Sequence, residues 1–207
     1  MPEGFLRYFP DLSESQNTNL NRLKNIYDRW NSMINVISRK DMENFYIHHV
    51  LHSLAIAKVI KFVPGTRILD AGTGGGFPGI PLAILFPDSE FTLLDSIEKK
   101  IRVVSAVSEE LELQNVIPLR NRIEEEKRRF HFVVSRAVTS FPGFVKITRK
   151  NIHTSSNNRL ANGILYLKGG DLTRELSGFE TRVKIWEISN FFDEPFFETK
   201  KVIYLPV

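Results

Sequence analysis

The spacing of apolar residues changes its period near position 64. From Ser13 to about Ile37, and again over roughly Phe45–Phe62, apolar residues recur at the three- and four-residue intervals of an amphipathic helix. Pro64-Gly65 then interrupts the pattern. The sequence therefore predicts an N-terminal helical part over residues 1–63 and a separate domain over residues 64–207.

Beyond this break, short apolar runs alternate with helical stretches, an arrangement typical of an α/β fold. The runs that predict strands are Arg67–Ala71, Phe91–Asp95, Val116–Leu119, Phe132–Ser135, Ile164–Lys168, Val183–Ser189 and Lys200–Leu205. The stretches that predict helices are Ile80–Phe86, Glu98–Leu113 and Leu172–Glu180. Alternation of this kind predicts a mostly parallel, seven-stranded sheet with helices on both faces, and the last two strands predict an antiparallel hairpin at its edge.

Composition narrows the class of protein. The 207 residues are 42% hydrophobic and 25% charged, which is ordinary globular usage. Cysteine is absent, which excludes a disulfide framework, a thiolate metal site and a cysteine nucleophile. The apolar runs are shorter than the roughly 20 residues that span a bilayer, and Met1–Pro10 lacks the layout of a secretory signal. We expect a soluble, cytoplasmic protein that does not bind membranes.

The net charge of +4 permits a polyanionic partner without requiring one. Basic residues that would face such a partner are dispersed: Arg22, Lys24, Arg29, Arg39, Lys40, Lys99, Lys100, Arg102, Arg120, Arg122, Lys127, Arg128 and Arg129. Each of them taken alone is also explained by solubility. The run Glu124–Arg129 is interpreted as a solvated charge run, apart from Glu124.

A glycine-rich loop follows the first predicted strand and carries the strongest chemical signal. Asp70 ends the strand, Gly72 and Gly74 follow, and a helix opens beyond Pro78. Glycine allows positive φ and lets a ligand touch the backbone, while the free N–H groups of a helix start attract negative groups. A tight strand-to-helix turn without a ligand explains the same pattern.

Asp95 strengthens the ligand interpretation. It ends the second strand 21 residues after Gly74, where nucleotide-binding βαβ units place an acid that binds a ribose. The alternative is a cap for the helix near Glu98. Both acids are expected at the carboxyl edge of the sheet, which is where ligands bind in open α/β sheets.

The loop also indicates which ligand is bound. No Lys-Ser/Thr pair follows the glycines, so it is not a phosphate-binding Walker A loop. Phe77 occupies the third glycine position of the dinucleotide pattern, and Asp70 would repel a pyrophosphate. An acid there suits a ligand with a cationic portion, such as the sulfonium and ammonium groups of S-adenosylmethionine.

Asp70–Ala83, with the sequence DAGTGGGFPGIPLA, resembles the glycine loop of the RsmG (GidB) family, bacterial enzymes that methylate N7 of a guanosine in 16S ribosomal RNA with S-adenosylmethionine. Further segments match in order: Trp30-Asn31 with Asn35, His48-His49 through Ser53, Leu93–Ser96, Lys99-Lys100, Arg122–Glu125, Ser135–Ala137 and Leu167–Gly169. The resemblance covers roughly residues 20–170. It implies a Rossmann-like class I methyltransferase fold and a substrate in the small ribosomal subunit. We expect a monomer.

The resemblance also implies roles for individual residues. Gly72 and Gly74 would lie alongside the methionine moiety of the cofactor, Phe77 would contact the cofactor, and Asp95 would hold the ribose hydroxyls. Ile123 and Glu124 would border the adenine. Lys100 stands where arginine is frequent in the family, and the lysine keeps the charge but loses the two-point fork of an arginine.

Arg136 and Lys168 are the candidates for positioning the substrate base. Arg136 ends a buried apolar strand, where an arginine is costly unless it is paired or functional, and the resemblance places it on the cofactor and substrate site. Lys168 closes a strand at the same edge, where contact with solvent is the alternative. No catalytic acid or base is expected, because guanine N7 already carries an in-plane lone pair. His48 and His49 are interpreted as packing or capping residues without an acid at a useful spacing, and no metal site is expected.

Two other functions stay open at this point. A methyltransferase on the same cofactor domain could act on a different RNA, a protein or a small molecule, because fold does not fix substrate. A non-enzymatic RNA-binding module would have no reason to retain Asp70, the glycines and Asp95 together.

Overall fold

Seven strands form one sheet: β1 (Arg67–Ala71), β2 (Glu90–Asp95), β3 (Val116–Arg120), β4 (Phe132–Arg136), β5 (Gly163–Gly169), β6 (Lys184–Glu187) and β7 (Lys200–Pro206). Their order across the sheet is β3-β2-β1-β4-β5-β7-β6. The structure is a computed structural model that describes residues 4–136 and 139–207. Strands β1 to β5 run parallel, and β7 lies antiparallel between β5 and β6. The predicted mostly parallel, seven-stranded sheet and its antiparallel hairpin are thereby confirmed.

The strand bounds follow the apolar runs closely. The described α-helices are α1 (Gly4–Tyr8), α2 (Glu14–Met33), α3 (His52–Val59), α4 (Gly79–Leu85), α5 (Glu98–Glu110) and α6 (Phe141–Thr148). No helix within these described residues is both long and apolar enough to cross a membrane.

Two predicted elements differ from the structure, and one helix was not predicted. The predicted helix Phe45–Phe62 begins as a π-helix over Tyr46–Leu51 and continues as α3. The prediction of a helix over Leu172–Glu180 is wrong, because this segment forms successive turns and Gly178 adopts a left-handed φ of 82°. Helix α6 was not predicted, although Ser140 caps it by accepting a hydrogen bond from the Gly143 N–H.

Successive side chains of a strand point to opposite faces of the sheet, and an apolar cluster lies on each face. On one face, Ile68 of β1 packs in a cluster with residues of α2, α3, α4 and α5. On the other face, Leu69 packs with Phe141 and Phe144 of α6. Residues 1–63 and 64–207 thus share one of these clusters, and their division into two parts stays a prediction.

Candidate active site

A cleft of about 550 Å³ opens at the carboxyl ends of β1, β2 and β4. From β1 the chain continues to β2 and β3 on one side of the sheet, and β4 then lies on the other side of β1. The boundary between β1 and β4 is therefore the switch point of the strand order, where open α/β sheets bind ligands. The volume lies within the range of small-molecule sites. Its lining consists of Ala71, Gly72, Leu94, Asp95, Ser96, Ile97, Lys100, Asn121, Arg122, Ile123, Glu124, Arg136, Phe144 and Ile147.

The glycine loop borders this cleft in a conformation that favours glycine. Gly72 and Gly74 have φ values of 73° and 59°, in the left-handed region. The N–H groups of Gly72 and Thr73 donate to the carbonyl of Leu94, which fixes the loop against β2. A Cβ added at Gly74 would meet no described atom within 4 Å, so the space beside this residue is open.

Asp70 lies beneath the loop. Its Oδ2 accepts hydrogen bonds from the Thr73 hydroxyl at 2.6 Å and the Gly79 N–H at 2.8 Å, so it ties the loop to the start of α4. Burial raises the pKa of Asp70 to about 7, although both donors oppose the shift. The side chain is fully buried and lies outside the lining of the cleft. Its direct contact with a cofactor therefore stays a prediction.

Asp95 lies in the cleft at the end of β2. Its Oδ2 accepts from the Gly74 N–H at 3.0 Å, and its Oδ1 accepts from the Ile97 N–H at 2.9 Å. Lys100 Nζ stands 3.4 Å from Oδ2. Asp95 thus orders the glycine loop and the turn before α5, and it places a carboxylate in the cleft. Its contact with ribose hydroxyls stays a prediction.

Replacing Asp95 with alanine is expected to weaken binding of S-adenosylhomocysteine by about 1–3 kcal/mol, because it removes a charged acceptor and frees the Gly74 N–H. Calorimetric titration of the folded variant measures this loss. Asp95→Asn is the matched control, since it keeps an acceptor oxygen and should retain more of the affinity. Unchanged affinity in Asp95→Ala would exclude Asp95 from the site.

The opposite wall of the cleft combines apolar and polar groups. Ile123 and Glu124 lie in a 3₁₀ turn after β3, and both line the cleft together with Phe144 and Ile147 of α6. Such apolar surfaces suit an adenine ring. Lys150 donates to the Glu124 carbonyl and links this turn to the end of α6.

Arg136, at the end of β4, connects the cleft to the N-terminal part of the chain. Its Nη1 donates to the carbonyl of His48 at 3.0 Å, and its Nη2 lies 2.9 Å from His49 Nδ1. Its guanidinium carbon stands 5.2 Å from the centre of the Phe77 ring. Burial lowers the pKa of Arg136 to about 10, which leaves it protonated at neutral pH.

The sequence-based interpretation of the two histidines is wrong in one respect, because an acid does reach them. Asp41 bonds to His48 Nδ1 at 2.5 Å and to His49 Nε2 at 2.6 Å. The spacing of seven and eight residues is bridged by a 3₁₀ turn over Asp41–Asn44 and the π-helix that follows. Neither element has the regular period that sequence patterns reveal.

Phe77 and Lys168 are not brought to the cleft as predicted. The Phe77 ring is only 3% exposed and packs on Tyr27 and Phe45, outside the lining of the cleft. It supports Arg136 from below, and its contact with the cofactor stays a prediction. Lys168 bonds to Glu175 and donates to the Thr139 carbonyl at 3.3 Å. It too lies outside the described lining.

The sequence patterns did not predict the contacts of two further residues, Tyr27 and Glu126. Tyr27, which the periodicity marks only as a core residue, donates from its hydroxyl to the Gly75 carbonyl at 2.5 Å and braces the glycine loop from α2. Glu126 is not part of a solvated run: it is 4% exposed and accepts two hydrogen bonds from the Arg128 side chain. Ala137, which belongs to a segment that carried the resemblance, lies outside the described residues.

The sheet order and the cleft at its switch point define a Rossmann-like methyltransferase fold. Solved structures share it. A S-adenosylmethionine-dependent methyltransferase from Aquifex aeolicus superposes with a TM-score of 0.58 at 13% identity over 82% of this chain and 98% of that one. A TehB-like S-adenosylmethionine-dependent methyltransferase from Corynebacterium glutamicum gives 0.56 at 13% identity, over 90% and 98%.

Sequence comparison identifies the family within this class. The family described as rRNA small subunit methyltransferase G (GidB) matches residues 16–199. A protein named ribosomal RNA small subunit methyltransferase G from Flavobacterium psychrophilum is 56% identical over 205 residues, covering 99% of this chain and 98% of its own length. The protein of the same name from Phocaeicola vulgatus is 53% identical with the same coverage. The chain belongs to the rRNA small subunit methyltransferase G family.

Proposed function

We propose that this protein transfers the methyl group of S-adenosylmethionine to N7 of a guanosine in 16S ribosomal RNA. The observation that carries the proposal is the cleft in which the left-handed glycine loop and Asp95 meet at the switch point of the sheet. Family membership supports ribosomal RNA as the substrate. We further propose that the protein works in the cytoplasm as a monomer, on the small ribosomal subunit.

The residues present fit the cofactor. The open space beside Gly74 would admit the methionine moiety, the Asp95 carboxylate would accept from the ribose hydroxyls, and Ile123, Phe144 and Ile147 would enclose the adenine. When bound, the cofactor supplies an electrophilic methyl group on a sulfonium. The protein's contribution is then to bind and orient the two reactants.

No side chain is required to accept a proton, since guanine N7 attacks through its own lone pair. The product base becomes cationic as the sulfur loses its charge. The chemistry needs a donor that places the guanine. Two arginines line the cleft, Arg122 and Arg136, and we choose Arg136 because its guanidinium is held in place by the His48 carbonyl and the His49 ring and could donate to guanine O6. Lys168 is the weaker candidate, because its ammonium is already paired with Glu175.

The structure sorts the basic residues into two groups. Those of α2 are engaged: Arg29 pairs with Glu110, Arg22 donates to the Glu110 carbonyl, and Lys24 pairs with Asp28. Near the cleft, by contrast, several exposed cations have no ion-pair partner among the described residues, and they include Arg122, Lys146 and Arg149. Lys146 and Arg149 belong to the α6 region and were not among the basic residues considered from sequence. We place the RNA phosphates on this side of the molecule.

Replacing Arg149 with glutamine is expected to weaken binding of small-subunit RNA and to reduce the slope of log K against log salt by about 0.7–0.9, the value of one phosphate contact. The matched control is Arg29→Gln, whose arginine is held by Glu110 and should leave the slope unchanged. Filter binding over a salt series measures both. Equal slopes for Arg149→Gln and the wild type would show that Arg149 does not contact RNA phosphate and would contradict an RNA-binding surface at α6.

The proposed function is tested with purified protein, tritiated S-adenosylmethionine and small ribosomal subunits from cells that lack the protein. We expect incorporation into 16S RNA and, after nuclease digestion, radioactivity in N7-methylguanosine. Incorporation into another base would overturn the assignment of N7. Incorporation only into protein or small molecules would overturn the RNA substrate.

A further inference from the structure

A chain of three side chains runs from the N-terminal part of the protein into the cleft. The Asp41 carboxylate lies 2.6 Å from His49 Nε2, and His49 Nδ1 lies 2.9 Å from Arg136 Nη2. Arg136 lines the cleft, whereas Asp41 and His49 do not belong to its lining. None of the steps of methyl transfer described above uses either residue.

The hydrogen-bond directions along this chain are mutually consistent. A guanidinium can only donate, so His49 Nδ1 must accept from Arg136. The imidazole proton is then on Nε2, where the Asp41 carboxylate accepts it. Burial lowers the pKa of His49 to about 4, with the Arg136 charge as the next cause, so the ring is neutral at physiological pH.

The π-helix supplies the second contact with Arg136. In an α-helix the His52 N–H would donate to the His48 carbonyl, four residues back. Here it donates to the carbonyls of Ile47 and His49 instead. The His48 carbonyl is therefore not taken up by the His52 N–H, and it accepts from Arg136 Nη1 at 3.0 Å.

We propose that His49, oriented by Asp41, is a positioning residue that holds the Arg136 guanidinium above the Phe77 ring so that its remaining N–H groups face the cleft. The guanidinium is then fixed at two nitrogens, and its carbon lies over the Phe77 ring. A long side chain held in this way loses little further freedom when the substrate base arrives. The N-terminal part thus completes a site that residues 64–207 only partly form.

The test uses His49→Phe, which keeps a ring against Phe45 and Phe77 but removes both nitrogens. The matched control is His153→Phe, because His153 also packs on an aromatic ring, that of His131, and lies outside the cleft lining. We expect turnover on small subunits to fall about 10–100-fold in His49→Phe, as for a misplaced substrate-positioning group. It should stay within about threefold of wild type in the control. His49→Gln, whose amide oxygen can accept from Arg136, should recover part of the loss.

A double-mutant cycle separates positioning from general stability. If His49 acts through Arg136, adding His49→Phe to Arg136→Lys should lower turnover by less than about threefold further. An equal fold-loss in both backgrounds would overturn the proposal.

The role of His49 in catalysis rests on the proposed function. A second measurement, of the Arg136 side chain itself, does not depend on turnover. Proton–nitrogen spectra of ¹⁵N-arginine-labelled protein should resolve separate Nη signals for Arg136 in the wild type and His153→Phe, and averaged signals in His49→Phe. Averaged signals in the wild type would overturn the proposal. Resolved signals in a wild type that methylates no small subunit would instead contradict only the proposed function.

Discussion

Gly74→Val is expected to abolish cofactor binding, with the affinity for S-adenosylhomocysteine falling below detection by calorimetry. Two effects act together. The φ of 59° at Gly74 costs an L-residue roughly 1–2 kcal/mol and is least tolerated by a β-branched side chain. The new side chain also enters the open space beside the loop that the cofactor would fill.

Gly74→Asn distinguishes these two effects. Asparagine tolerates the left-handed region better than other L-residues, so the loop and the Gly74 N–H bond to Asp95 should be kept. If the cofactor occupies the open space, the asparagine variant should melt near the wild-type temperature and still fail to bind. A variant that binds normally would mean that the glycine only turns the chain.

The parallel core of the fold could be predicted because its signals are local. Arg67–Ala71 and Phe132–Ser135 are short apolar runs buried on both faces, and such strands need no information from distant residues to be recognised. Asp70 and Asp95 were placed at the carboxyl edge by the same reasoning. Their depths differ, because Asp70 caps a buried turn whereas Asp95 lines the cleft.

The brace around Arg136 could not be predicted, because it depends on irregular helix geometry. Asp41 reaches two consecutive histidines only through a 3₁₀ turn and a π-helix, and these elements leave no periodic trace in the sequence. The surroundings of the Phe77 ring could not be predicted for a related reason. The ring turns under the loop towards Tyr27 and Phe45, and those contacts come from helices far away in the chain.

Arg136→Lys is expected to lower turnover about 100-fold at saturating cofactor and RNA, the scale seen when a preorganised donor is removed from a reaction site. The charge is retained, but a lysine has one nitrogen. It cannot donate to the His48 carbonyl and the His49 ring and also present a planar pair of donors to the base. It also lacks the planar guanidinium whose carbon Arg136 places 5.2 Å from the centre of the Phe77 ring.

Arg129→Gln is the comparison that separates chemistry from electrostatics at Arg136. Arg129 is exposed, so its removal should weaken RNA binding at most by one phosphate contact and leave turnover at saturating RNA unchanged. Both variants are followed over a salt series, with methyl transfer and RNA binding measured separately. If Arg136→Lys shows only the weaker, salt-dependent binding and reaches full turnover when RNA is saturating, then Arg136 is a phosphate contact. The fixed guanidinium at the end of β4 would then have no part in placing the guanine, and the donor to the base would have to be sought elsewhere at the cleft.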